Sequence, residues 1–177
     1  MPLHYRIVFF VYMLTLNYAC SESPKNTENE VFTANELKEP LIKTNKFLTR
    51  SEKQDIDDLV NRYGWEMLST GTGLRYQFLE KGNGIKPREG NIVKANYTIK
   101  LLTGEIVYDS KTDGLLEFQV GKGGVPAGIE EGILLTGLQD KVRFILPSHL
   151  AFGLLGDSKR IPPRSVLIYE IEILDLQ

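Results

Sequence analysis

The stretch from Lys141 to Leu176 constrains the fold of this chain most strongly, because it carries two alternating patterns separated by an apolar loop. Alternation of apolar and polar residues is typical of a strand with one face against a core. In the first pattern the apolar positions are Val142, Phe144 and Leu146. In the second pattern they are Leu167, Tyr169, Ile171 and Ile173. The stretch therefore predicts two strands of a sheet that is buried on one side.

The loop between these strands is the first candidate for function. It is long, and long loops with apolar side chains often bind or cover a ligand. Its apolar residues are Phe152, Leu154, Leu155 and Ile161. The alternative is a loop that folds back onto its own sheet, and the residues alone leave both interpretations open.

Composition excludes several classes of function. The 177 residues carry a formal net charge of −2, so no basic excess favours a nucleic acid as a partner. The single cysteine, Cys20, excludes an internal disulfide, and two histidines are too few for most hydrolase or transition-metal sites. Ser148 and His149 are neighbours, but adjacent side chains in a loop point apart and no GxSxG motif is present. We expect neither a metal nor a cofactor.

The N-terminal residues predict export and attachment to a membrane. Residues 1–19 combine a basic start with an apolar run that is too short to span a bilayer and is typical of a secretory signal. Cys20 follows Ala19, as in a bacterial lipoprotein signal, in which that cysteine receives the lipid. Residues 20–36 are mostly polar and are expected to form a flexible tether. The chain is therefore expected in the cell envelope; the alternative is an ordinary cleaved signal with a chance cysteine.

Residues 37–64 predict a helical segment. Two short helices are expected, at 37–49 and 52–63, because residues 51–54 form a capping-box sequence and Gly64 is a suitable C-terminal stop. Their apolar faces are narrow, so we expect them to pack on the following domain or on a second copy. A monomer and a dimer through these helices both remain open.

The remaining chain predicts an α+β domain. Strands are indicated around 74–78, 93–101, 105–109 and 116–120, and a tight turn at Thr103 and Gly104 forms a hairpin. One short helix is indicated from Ile129 to Leu135. Many strands with one helix predict an antiparallel sheet with that helix packed on it.

Five sequence blocks then follow one another in a specific order. They are NYT at 96–98, G-x-x-x-YDS at 104–110, VGKGGVPAGIEEG at 120–132, LPSHLAFG at 146–153 and IPPRSVLIYEIEIL at 161–174. Together they resemble the FKBP-type peptidyl-prolyl cis-trans isomerases over residues 66–177. With its lipoprotein-type signal and helical segment, the chain is similar to envelope FKBPs of Bacteroidetes-type bacteria, among them gliding-motility lipoproteins.

The resemblance implies a five- to six-stranded antiparallel sheet wrapped on one short helix, with an apolar pocket that takes a proline side chain. Proline-containing polypeptides would be the partners. By position, the substrate-binding wall would be Tyr97, Tyr108, Asp109, Leu116, Val125, Pro126, Ile129, Phe152, Ile161 and Tyr169. Tyr97, Asp109 and Phe152 would be the catalytic residues, with Asp109 fixing neighbouring side chains. Alternatively, Asp109 is a carboxylate that caps a turn.

Three residues depart from the family pattern. Phe152 stands where the family has a tyrosine, and so lacks the hydroxyl that bonds a ligand carbonyl. Ile129 replaces a tryptophan at the pocket floor, and Pro126 lacks the backbone N–H that meets a second carbonyl. Each missing hydrogen bond is worth on the order of 1 kcal/mol. We expect weak binding of the macrolides that target this family, and reduced isomerase activity.

Two functions follow from the resemblance. The first is a peptidyl-prolyl isomerase that assists the folding of envelope or secreted proteins. The second is a non-catalytic binding module, either a chaperone or a component of an envelope complex for gliding or secretion, in which the pocket only binds.

Overall fold

The computed structural model describes residues 34–82 and 84–177. The chain divides into two compact units, residues 1–40 and residues 41–177. The predicted signal at 1–19, Cys20 and the tether up to residue 33 lie outside the described residues. Within the described part, none of the helices is both long enough and apolar enough to cross a membrane.

Helix α1 runs without interruption from Ala34 to Tyr63. The prediction of two short helices, at 37–49 and 52–63, is therefore wrong. The backbone is helical on both sides of Ser51, and neither glycine nor proline lies within a turn of it. A polar residue such as serine weakens a helix only slightly, and helix formation is cooperative, so the helix continues through this position.

The capping-box sequence at residues 51–54 does not begin a helix, whereas Gly64 does follow the end of one. The Gln54 side chain donates a hydrogen bond to Asp58 (2.9 Å), one turn further along the helix, and does not cap Ser51. Gly64 directly follows the last helical residue and has a φ of 63°. Glycine adopts this left-handed conformation without the strain that a Cβ would bring, so the helix ends there as predicted.

In the described residues the rest of the chain forms one antiparallel sheet of seven strands, which confirms the predicted α+β class. The strands are β1 (Leu68–Ser69), β2 (Arg75–Glu80), β3 (Ile92–Leu101), β4 (Ile106–Asp109), β5 (Leu116–Gln119), β6 (Lys141–Leu146) and β7 (Leu167–Leu176). Their order is β1-β2-β6-β7-β3-β4, and β5 also pairs with β3. The two-residue β1 accounts for the excess over the five to six strands predicted.

Helix α3 (Ala127–Ile133) covers one face of the sheet, as the sequence predicted for residues 129–135. Its Ile129 and Ile133 are fully buried in a core that includes Phe144 of β6. Gly132 permits this close approach, because a Cβ at this position would lie 2.7 Å from Cε1 of Phe144. A further short helix, α2 (Ser110–Asp113), follows β4 and was not predicted.

Helix α1 covers part of the opposite face. Ile56 and Leu59 are buried against Ile145 of β6, Ile168 of β7 and Val166, which directly precedes β7. Strand alternation explains this second core, since Ile145 and Ile168 point away from the face that α3 covers. The first of the two expectations for the helical segment, packing on the following domain, is confirmed for α1.

Asp140, which directly precedes β6, forms hydrogen bonds with two loops. Its side chain is only 6% exposed. One carboxylate oxygen accepts the backbone N–H of Gly82 and the other accepts that of Gly137, both at 2.7 Å. A buried backbone N–H that loses its acceptor is costly, so Asp140 stabilises both loops at once.

Replacing Asp140 by alanine is expected to lower the free energy of unfolding by about 1–3 kcal/mol, because the buried N–H of Gly137 and the more exposed N–H of Gly82 lose their acceptor. Urea denaturation followed by circular dichroism measures this. Asp55→Ala, at an exposed position of α1, is the control and should leave the stability nearly unchanged. Equal stability of the two variants would contradict the role given to Asp140.

Candidate functional site

A cavity of about 360 Å³ opens between the sheet and α3. The loop between β6 and β7, residues 147–166, covers one side of it. The lining residues are Tyr97, Ile99, Tyr108, Leu116, Gly124, Val125, Pro126, Ile129, Phe152, Asp157, Lys159 and Tyr169. Most of them are aromatic or aliphatic, so the cavity suits an apolar group of modest size.

The cavity brings together all but two of the residues that the sequence predicted for the wall. Ile161 is one exception, because it is 3% exposed and packs into the core beneath the loop. The loop therefore combines both interpretations of its apolar residues. Phe152 faces the cavity and Ile161 folds back onto the sheet, whereas Leu154 and Leu155 are exposed.

Asp109 is the other exception. Its carboxylate accepts a hydrogen bond from the backbone N–H of Lys111 (2.8 Å) and another from the Thr98 hydroxyl (3.1 Å). It therefore caps the N-terminus of α2, which was the alternative interpretation. Alternation along the strands explains its position, since Tyr97 and Tyr108 line the cavity while their neighbours Thr98 and Asp109 point to the other face.

Three tyrosines surround the cavity as neutral hydrogen-bond donors. Burial raises the pKa of Tyr169, which is 3% exposed, and nearby Tyr97 raises it further. Burial and the Asp113 carboxylate raise the pKa of Tyr97. Tyr108 donates its hydrogen bond to Asp157, which raises the pKa of the Tyr108 hydroxyl. All three hydroxyls therefore remain protonated at physiological pH, and the part of the wall that the tyrosines form is uncharged and suits an apolar guest.

Two residues of the wall offer no hydrogen-bond donor. Pro126 lies at the N-cap of α3, and its carbonyl accepts the N–H groups of Ile129 (2.9 Å) and Glu130 (3.1 Å). Proline has no backbone N–H of its own to present to a ligand. Phe152 contributes only its ring. At these two positions the cavity therefore provides shape without a hydrogen bond.

Asp157 and Lys159 add charge at the rim of the cavity, and both were missed by the sequence analysis. Asp157 accepts the Tyr108 hydroxyl and, at 2.8 Å each, the backbone N–H groups of Lys159 and Ile161. Burial tends to raise the pKa of Asp157, but these hydrogen bonds outweigh it and lower the pKa. An aspartate followed by polar residues in a loop is a signal for an Asx-turn and could have drawn attention to this position.

Arg160 closes the rim beside the loop. Its guanidinium lies over the ring of Tyr108, 4.7 Å from the centroid, and donates to the Asp113 carboxylate at 2.8 Å. The same side chain donates to the carbonyl of Val107 (3.1 Å). Arg160 thus connects the loop to β4 and α2, and together with Asp157 it holds Tyr108 in place.

Other catalytic arrangements are not formed in residues 34–82 and 84–177. The Ser148 hydroxyl donates to Glu52 (2.7 Å), and the His149 ring bonds to the carbonyl of Thr72 (3.0 Å), so the two neighbours do not pair. In the same residues, no group of three or more His, Cys, Asp or Glu side chains is placed to hold a metal ion.

Comparison with known proteins relates this geometry to a family. Residues 83–174 match the family model described as FKBP-type peptidyl-prolyl cis-trans isomerase. The chain is 33% identical over 114 residues to a probable FKBP-type peptidyl-prolyl cis-trans isomerase of Haemophilus influenzae, covering 64% of this chain and 46% of that protein. It is 34% identical over 110 residues to FkpA of Escherichia coli, covering 62% of this chain and 40% of FkpA. The chain therefore spans less than half the length of these two relatives.

Two solved structures are similar to the fold. The crystal structure of AtFKBP13 matches with a TM-score of 0.61 at 30% sequence identity, over 63% of this chain and 99% of that one. The crystal structure of FkpA from Escherichia coli matches with a TM-score of 0.63 at 26% identity, over 100% of this chain and 83% of that one.

Tyr108→Phe is expected to raise the pKa of Asp157, because the carboxylate loses a hydrogen bond that favours its charged form. Because the pKa of Asp157 is lowered in the folded protein, the ionised carboxylate stabilises the folded loop at pH values above the ordinary pKa of 3.8. This stabilisation is lost as the pH falls through the lowered pKa. The variant should lose part of it. An NMR titration of the Asp157 carboxyl carbon measures the shift. Tyr97→Phe is the control and should leave the Asp157 titration unchanged.

Proposed function

The chain belongs to the FKBP-type peptidyl-prolyl cis-trans isomerase family, and on this basis we propose that it isomerises X–Pro peptide bonds of polypeptides in the cavity beside α3. The observation that carries the proposal is the composition of this cavity. Its lining combines the buried Ile129 and Tyr169 with further aromatic and aliphatic side chains. A flat, apolar proline ring suits such walls, and the volume lies within the range of roughly 300–1,000 Å³ for small-ligand sites.

The reaction requires little beyond such a surface. Rotation about the peptide bond passes a barrier of about 18–20 kcal/mol, because the amide loses its resonance in the twisted state. No covalent bond forms and no proton is transferred. A dry cavity disfavours the planar, more polar amide relative to the twisted one, and a wall that fits the twisted form lowers the barrier.

Individual residues would contribute in different ways. Tyr97 and Phe152 contact the substrate on either side of the proline, and the neutral Tyr97 and Tyr169 hydroxyls supply hydrogen-bond donors. Asp109 acts indirectly, because it caps α2, the helix that carries Asp113 next to Arg160 at the rim. Its role is therefore to position other groups.

A second candidate function is a non-catalytic module that binds proline-containing chains, as a chaperone or within an envelope complex. Pro126 and Phe152 favour it, because both remove donors at the cavity wall. The two candidates differ in turnover and not in what they bind. Isomerase activity in a refolding reaction therefore distinguishes between them.

The purified chain is expected to accelerate the slow, proline-limited refolding phase of a test protein, since uncatalysed isomerisation takes roughly tens to hundreds of seconds. Fluorescence-detected refolding at increasing molar ratios measures the rate of this phase. An unchanged slow phase at a large molar excess would leave only the binding module.

Restoring the two donors should raise activity. The double variant Pro126→Ile and Phe152→Tyr regains a backbone N–H and a hydroxyl, and each is worth about 1 kcal/mol, or roughly fivefold in affinity for a macrolide ligand. Leu154→Tyr is the matched control, because it adds the same phenol at an exposed position of the same loop. Equal activity and affinity in the wild type and the double variant would mean that the cavity is not the ligand site.

We further propose that the protein is anchored in the cell envelope through a lipid on Cys20, with envelope or secreted proteins as its substrates. The support is the sequence of residues 1–20 alone. Cells fed a radiolabelled fatty acid should label the wild type and not Cys20→Ala. Equal labelling of both would contradict the anchor, without bearing on the isomerase activity.

A further inference from the structure

Glu52 of α1 contacts both ends of the flap, the part of the loop between β6 and β7 that comprises residues 147–165. Glu52 accepts the backbone N–H of Ser148 (3.1 Å) and its hydroxyl (2.7 Å) at the start of the flap. It also accepts an N–H of the Arg164 guanidinium (3.4 Å) at the end of the flap. The Glu52 side chain is 13% exposed, so this carboxylate is largely removed from water.

The packing of α1 places Glu52 at this point. Ile56 and Leu59 follow Glu52 at spacings of four and seven residues and share its face of the helix. They are buried against Ile145, which lies just before the flap, and Val166, which lies just after it. The apolar contacts thus fix α1 across the base of the flap, and the carboxylate lies between the two ends.

A continuous set of hydrogen bonds connects Glu52 to the cavity. Within the flap, Gly153 donates its N–H to the carbonyl of Ser148, and Arg164 donates its N–H to the carbonyl of Gly153, both at 2.8 Å. Gly153 is the neighbour of Phe152, which lines the cavity. Ser148 and Arg164 are therefore both hydrogen-bonded to the residue that follows Phe152 in the chain.

Arg164 also has a backbone conformation that needs support. Its φ is 57°, which is uncommon for a residue with a Cβ. Such conformations persist where the surroundings hold them in place. The backbone bond to Gly153 and the side-chain contact with Glu52 provide this support at the end of the flap.

We propose that Glu52 is a positioning residue that holds the flap in its observed geometry beside the cavity. Helix α1 lies outside residues 83–174, which match the family model. By this contact the helix is nevertheless part of the site. The consequence for catalysis rests on the proposed function, whereas the consequence for the flap does not.

The test uses Glu52→Gln and Glu52→Ala in the full chain, with Glu39→Gln as the control. Gln keeps the shape of Glu52 but turns an N–H₂ group towards the donors of Ser148 or Arg164. Glu39 is exposed on the same helix. Glu39→Gln removes one negative charge, as Glu52→Gln does, and therefore controls for the change of charge. Circular dichroism verifies that each variant is folded.

Hydrogen exchange of the flap amides is the first measurement, and it does not depend on activity. The amides of Gly153 and Arg164 should exchange at least about fivefold faster in both Glu52 variants, as expected for the loss of one net hydrogen bond. Amides of β3 and α3 should keep their wild-type rates. Glu39→Gln should leave all of these rates unchanged.

Isomerase kinetics are the second measurement. The Glu52 variants should lose about fivefold in kcat/KM, mainly through a higher KM, because the flap supplies contacts that hold the substrate. Arg164→Ala should give a similar loss, and its combination with Glu52→Gln should be less than additive, since both remove the same contact.

The pattern of hydrogen exchange across the protein decides whether Glu52 positions the flap. Unchanged flap exchange in a folded Glu52→Gln overturns the proposal, even if activity falls. Faster exchange at all amides alike also overturns it, because Glu52 would then contribute only to general stability. Faster exchange confined to the flap, in a protein without isomerase activity, supports the positioning role and contradicts the proposed function.

Discussion

The antiparallel pairing of β3 with β7 is the interaction on which the rest of the structure depends. Each strand has ten residues, and the other strands pair outward from these two. The pairing sets Tyr97 opposite Ile171 and Ile99 opposite Tyr169. Tyr97, Ile99 and Tyr169 line the cavity, so the register of this one pair determines the position of its inner wall. A slip of β7 by one residue would turn Tyr169 and the other core-facing side chains of that strand to the opposite face.

The sheet has a helix on each face, and the site uses both. On one face Ile129 of α3 forms the floor of the cavity. On the other face α1 packs across the base of the flap through Ile56 and meets its two ends with Glu52. The cavity is therefore lined from α3, whereas α1 contacts only the two ends of the flap beside it. In the role proposed for Glu52, changes in α1 alter the flap without contacting the cavity.

Sequence patterns predicted the strands and helices that show a clear periodicity. They failed where contacts between residues far apart in the sequence determine the structure. Alternation indicated both long strands, and the family resemblance carried by the five blocks implied most of the residues that line the cavity. The division of α1 at Ser51 was wrong, because a local capping signal cannot outweigh helix cooperativity. Asp157 was missed because its role depends on Tyr108, 49 residues earlier, and no pattern within the loop reports that contact.

The lengths of the outermost strands have a consequence for contacts with other polypeptides. In the described residues the outermost strands are β1, two residues long, on one side and β4 and β5, four residues each, on the other. An exposed sheet edge offers unpaired N–H and C=O groups to any extended chain nearby, and so invites strand addition and aggregation. Edges this short offer few such groups. Under the proposed function, these short outer strands limit the backbone with which a bound polypeptide could pair, so side chains of the cavity make the main contacts.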